Sequence, residues 1–158
     1  MKLLFRQKFF SWFDSYDITD ESGNVIFKIK GQLALGHCLK IYNQFGQEVG
    51  MVKEKIISLL PRFIIYENDC QLGYISRKIS LFTSSYDIDF KGWSVTGNVF
   101  EWNYSINTVG GRTVAEISKK LFNFTDTYEI NVIDPNDALY AVMFVVAVDA
   151  EKCSRSKR

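Results

Sequence analysis

The sequence predicts a mainly β domain: about twelve short antiparallel strands, as a sandwich or a barrel, followed by one apolar C-terminal helix. Three observations predict it. A strand-like tripeptide, a large apolar or aromatic anchor two residues before an Ile, recurs six times at spacings of 23, 24, 23, 18 and 24 residues. Aromatic residues make up 15% of the 158 residues and there are only two prolines, a composition that suits pleated, half-buried surfaces. The run from Ala138 to Val148 is apolar throughout and breaks the strand pattern.

Taken in order, Leu3 to Lys8 alternates and reads as a strand preceding the first anchor. The anchors are Tyr16-Asp17-Ile18, Leu39-Lys40-Ile41, Phe63-Ile64-Ile65, Tyr86-Asp87-Ile88, Tyr104-Ser105-Ile106 and Tyr128-Glu129-Ile130. In each, the first and third side chains share one face, the period of a half-buried strand. Turn chemistry follows the anchors: Asp20 to Asn24, Asn43 to Gly46, Glu67 to Cys70, Lys91-Gly92, and Asn107 to Gly111. Gly and Asn accept the positive φ that tight hairpins need. A second alternating strand then ends in basic residues: Val25 to Lys30, Val49 to Lys55, Leu72 to Lys78, Val114 to Lys120. A lysine stands eight positions before four anchors, at Lys8, Lys55, Lys78 and Lys120.

The C-terminal run begins at Asp134-Pro135, an N-cap followed by a residue suited to the first helical turn. A helix over about 135–150 is expected, apolar on every face and therefore enclosed. Its apolar part rises about 16–17 Å, too short for a hydrocarbon core of ~30 Å. Its natural host is the inside of a barrel closed by the strands. The β-branched residues Val142, Val145, Val146 and Val148 make a buried strand the competing reading.

The length fits one domain, over 1–152, with a basic disordered tail over 153–158. Apolar residues at 47% and charged residues at 23% exclude intrinsic disorder. A net charge of +1 argues against nucleic-acid binding. Cys38, Cys70 and Cys153 are odd in number and lack CxxC spacing, so neither a disulfide framework nor a zinc site is expected. No signal peptide or transmembrane span is read. The expected location is cytoplasmic, with peripheral contact to a membrane as the candidate association.

The order Gln7-Lys8-Phe9-Phe10-Ser11, Asp20-Glu21-Ser22-Gly23-Asn24-Val25, Ser118-Lys119-Lys120-Leu121-Phe122, Asp126-Thr127-Tyr128, then an Asp-capped apolar helix, resembles the LURP-one-related family, with its bacterial YxjI branch. The resemblance covers the chain from about Arg6 to Lys152. It implies a tubby-like fold: a twelve-stranded antiparallel barrel enclosing a hydrophobic C-terminal helix, as in tubby proteins and phospholipid scramblases. The family's biochemical role is poorly defined, so the resemblance carries fold more than function.

Catalysis finds little support. His37 is the single histidine, and Cys38 beside it on a strand would point to the opposite face. Asp87 and Asp89 share a strand face without an acid–base partner, and read as a solvated face. Gly110-Gly111 reads as a hairpin turn, and no phosphate-loop or metal-spaced motif occurs. No catalytic residue, metal or cofactor is therefore expected.

One feature points to a partner. Basic residues cluster at the strand ends opposite the tight turns: Lys8, Lys28, Lys30, Lys53, Lys55, Arg77, Lys78, Lys119 and Lys120. The adjoining connections are apolar: Phe9 to Phe13, Ile56 to Leu60, Ile79 to Phe82, Leu121 to Phe124. Lys55, Arg77, Lys78, Lys119 and Lys120 are the candidate rim for anionic phospholipid or phosphoinositide headgroups. The bland alternative is that these lysines are solvated gatekeepers at strand ends. Two further readings stay open: a scramblase-like membrane protein whose C-terminal helix enters lipid, and a protein-interaction scaffold with no lipid ligand. Oligomeric state is not legible.

Overall fold

The computed structural model describes residues 1–6, 15–78, 85–122 and 125–156. Twelve strands run β1 Lys2–Arg6, β2 Ser15–Asp20, β3 Val25–Gly31, β4 Cys38–Asn43, β5 Glu48–Glu54, β6 Arg62–Glu67, β7 Cys70–Lys78, β8 Ser85–Ile88, β9 Trp93–Asn98, β10 Asn103–Thr108, β11 Thr113–Phe122 and β12 Thr125–Val132. Each pairs antiparallel with its neighbour in sequence. The sheet closes where β1 pairs both β2, through Leu3 opposite Asp20, and β12, through Leu3 opposite Ile130. Closure removes both sheet edges.

The recurring tripeptide becomes the inner wall. Tyr16, Leu39, Phe63, Tyr86, Tyr104 and Tyr128 lie on the even strands, and each is buried, as is the Ile two residues beyond. The odd strands contribute Leu3, Phe5, Ile29, Val52, Ile75 and Ile117 to the same interior. Period-2 patterning thus put one face of every hairpin inside.

The C-terminal run is a helix, α1, over Ala138–Ser156, and the competing strand reading is not realised. Asp134 caps a short 3₁₀ turn, Pro135–Asp137, that leads into it: its carboxylate accepts the Asn136 N–H at 3.0 Å. Every residue from Ala141 to Glu151 is buried, enclosed by strands on all sides. β5 comes close to α1 at Gly50, where any Cβ would collide with Met143 Cε and also lie 3.2 Å from the Tyr66 carbonyl. Among the described residues, no helix is long and apolar enough to cross a membrane.

The helix expected over about 135–150 is present and extends further, to Ser156, so that residues 153–156, which the sequence reading placed in a disordered tail, are helical. The reason is a polar anchor at the helix end: His37 Nε2 lies 2.6 Å from Ser154 Oγ. That partner is far away in sequence and gives no local signal.

Candidate functional site

Antiparallel alternation assigns each connection to one of two barrel ends. At the base, tight turns follow β2, β4, β6, β8 and β10, and α1 begins after β12. At the mouth, the odd strands end, the even strands start, and α1 finishes. Five basic candidates, Lys55, Arg77, Lys78, Lys119 and Lys120, sit at or just below the mouth, as the repeat phase implies. The connections 7–14, 79–84 and 123–124 also join mouth ends; they lie outside the described residues, so the expectations for Lys8, Phe9 to Phe13, Ile79 to Phe82 and Phe124 are not followed further.

The five candidates do not make one uniform ring. Arg77 shares the inward face of β7 with Ile75 and turns towards the helix, where its guanidinium meets the Glu151 carboxylate at 3.2 Å. Lys78 points outward and pairs with Asp87 at 3.1 Å. Lys120 pairs with Glu129 at 3.2 Å, a carboxylate that also lies 3.9 Å from Lys2. Lys119 is exposed. Lys55 is exposed, its ammonium 5.8 Å from the Tyr74 ring centroid.

A second basic group is better placed to face outward. Lys30 and Lys53 are exposed on the outer face of β3 and β5, and neither has an ion pair among the described residues. Arg62, on β6, stacks its guanidinium 3.8 Å from the Tyr74 ring centroid, and Lys30 lies 4.8 Å from that of Tyr42. Aromatic faces on the outer wall therefore hold two of these cations without neutralising them. With Lys55 they flank two mouth connections, 32–37 and 55–61. The sequence showed Lys30, Lys53 and Lys55 as strand-end charges; it gave no signal for Arg62 or for the loop containing Leu33 and Leu35.

These two connections touch. The Glu54 N–H donates to the His37 carbonyl at 2.7 Å, the Glu54 carboxylate accepts the His37 N–H at 3.0 Å, and Lys55 N–H donates to the Arg62 carbonyl at 2.8 Å. A Cβ at Gly36, whose φ is +82°, would stand 3.2 Å from Ile56 Cγ1. His37 and Cys38 are both buried, and the His37 ring is engaged by Ser154 rather than by the thiol. Burial raises the Cys38 thiol above its usual range, which makes a thiolate nucleophile harder to form.

Just inside the mouth lies a buried polar cluster that sequence spacing could not reveal. Tyr86 Oη donates to Glu151 at 2.6 Å, across 65 positions of chain, and Arg77 reaches the same carboxylate across 74. Burial pushes the Glu151 carboxyl upward, opposed by Tyr86 and Arg77. Two residues earlier, burial pushes Asp149 up to about 7, with Lys152 opposing. Lys152 hydrogen-bonds the Phe100 carbonyl and stands 4.4 Å from the Trp102 ring centroid. The cluster ties the helix end to the wall. Among the described residues, no group of His, Cys, Asp and Glu has the arrangement to hold a metal ion.

The base has the opposite charge character. Asp20, Glu21, Glu67, Asp69, Asp89 and Asp134 lie there and outnumber the cations of that end, Lys2, Lys91 and Arg112. Asp20 accepts N–H groups from Ser22 and Asn24, and its bonds to Asn24 hold its carboxyl below the usual range.

Comparison with known proteins bears on the whole barrel. A family model described as LURP-one-related matches residues 1–149. A Bacillus subtilis (strain 168) protein described as uncharacterized protein YxjI is 24% identical over 150 residues, covering 94% of this chain and 92% of that one. An Arabidopsis thaliana protein of known X-ray structure superposes with a TM-score of 0.60 at 17% identity, covering 94% of this chain and 91% of that one, a likeness of fold.

Proposed function

The chain belongs to the LURP-one-related family, and from that premise we propose that it is a non-enzymatic binding barrel whose mouth docks on anionic phospholipid headgroups, phosphoinositides among them. The observation that carries this reading is the segregation of charge along the barrel axis. Lys30, Lys53, Lys55 and Arg62 gather at the mouth, while at the base carboxylates outnumber the cations Lys2, Lys91 and Arg112. A near-neutral chain arranged this way has a dipole that turns its basic end towards a negative surface. The resemblance to the tubby and scramblase barrels supports the same reading. The enclosed helix occupies the barrel interior, so binding uses the outer surface of the mouth.

Lys119 and the outward-facing Lys78 and Lys120 extend this surface. The salt bridges to Asp87 and Glu129 make Lys78 and Lys120 weaker contributors than Lys30, Lys53 and Lys55. Arg77 serves the helix end and contributes least.

The test is sedimentation with vesicles of phosphatidylcholine alone, or with phosphatidylserine or phosphoinositide added, at two salt concentrations. Each basic residue near an anionic surface contributes about 1 kcal/mol, so Lys30→Glu/Lys53→Glu/Lys55→Glu should lower affinity for acidic vesicles by about a hundredfold or more. Lys78→Glu/Lys120→Glu should have a smaller effect. Equal recovery on neutral and acidic vesicles would reject the reading and leave a scaffold for a protein partner.

A further inference from the structure

We infer that connections 32–37 and 55–61 form a paired aliphatic wedge that enters the acyl region of an anionic leaflet, an inference that rests on the headgroup-docking reading and adds a mode of attachment to it. Leu33 is 86% exposed, Leu35 83%, Ile57 91% and Leu59 105%, with Ile56 at 58%. These belong to two loops at one barrel end that contact each other at Gly36 and Ile56. They are therefore grouped on two adjoining loops at one barrel end rather than scattered over the molecule, and such a group of exposed apolar side chains marks an interaction site.

The choice of a lipid leaflet as occupant follows from charge. Lys30, Lys53 and Arg62, on strands that enter and leave the two loops, and Lys55, at the start of the second loop, flank the wedge at its base. Apolar tips above a collar of cations match a leaflet in depth order, with anionic phosphate at the level of the lysines and hydrocarbon beyond it. The barrel base offers a contrast: Phe45, Val109 and Ile133 are exposed there on separate turns. The stems of both loops are fixed by the Glu54–His37 and Lys55–Arg62 hydrogen bonds.

The test places an environment-sensitive fluorophore on Ile57→Cys, and separately on Val109→Cys, in a full-length Cys70→Ser/Cys153→Ser background. On mixing with phosphatidylserine-containing vesicles, the probe at 57 should brighten several-fold and shift to the blue, while the probe at 109 should not change. Ile57→Ser/Leu59→Ser should bind these vesicles about tenfold more weakly with unchanged Tm, because both side chains are solvated in the free protein. Sedimentation with acidic vesicles but no response at 57 would overturn the wedge and leave headgroup docking standing. No sedimentation at all would overturn both. A wild-type dimer in solution that becomes monomeric in the Ile57→Ser/Leu59→Ser variant would overturn the wedge in favour of a second copy of this chain.

Discussion

Tyr86 and Glu151 join the wall of the barrel to the end of the helix it encloses: the phenol donates to the carboxylate at 2.6 Å, both groups being buried. The bond holds an acid where burial alone would disfavour its charge, with Arg77 completing the arrangement. Tyr86→Phe removes the donor and leaves the carboxylate short of one partner. The expected loss is about 1–3 kcal/mol, measured by urea denaturation. An unchanged midpoint would show that the helix end is not held by this contact.

Asp149 makes the barrel sensitive to pH in a defined direction. Its carboxyl is pushed from 3.8 up to about 7 by burial, so the folded state binds more protons than the unfolded one between those values. Stability from this group is therefore present at acid pH and lost as pH rises through about 7. Asp149→Asn should abolish that decline. The difference between wild type and variant should change by up to about 4 kcal/mol between pH 4 and pH 8, read from denaturation midpoints at each pH.

Val145 tests whether the enclosed helix is the core. It is fully buried, so Val145→Asp places a carboxylate without a partner in the barrel interior. The cost of several kcal/mol is comparable to the whole stability of such a domain, about 5–15 kcal/mol. The variant should be unfolded or molten by near-UV circular dichroism, and a native spectrum would contradict the enclosed-helix architecture.

The C-terminus separates two deletions. Ending the chain at Asp134 removes the helix and exposes the inner faces of all twelve strands, so the fragment should aggregate. Ending it at Lys152 keeps the apolar core but removes the Ser154 hydroxyl from the buried His37 ring. That shorter deletion should fold, with a loss of about 1 kcal/mol in thermal or chemical denaturation. Wild-type stability would show that the residues beyond 152 contribute nothing.

Much of the mouth was legible because a repeat in constant phase sends equivalent residues to the same barrel end. Lys55, Lys78 and Lys120 follow from that alone. What those lysines face was not legible. Lys78 meets Asp87 and Lys120 meets Glu129 because neighbouring strands are in a particular register. A shift of one residue would have separated them.

The sequence by itself determined the strands, the turns and the enclosed helix. Period-2 alternation decides which face is apolar, Gly and Asn decide where the chain reverses, and an all-round apolar helix has to be covered. The ordered motifs also carried the family resemblance. Only the tertiary structure decided which charges remain open to solvent and which are neutralised. It alone brought Tyr86 and Arg77 to Glu151, His37 to Ser154, and the 32–37 loop against 55–61. Such contacts join residues far apart in sequence. Their partners are set by barrel closure and strand register, which no local pattern encodes.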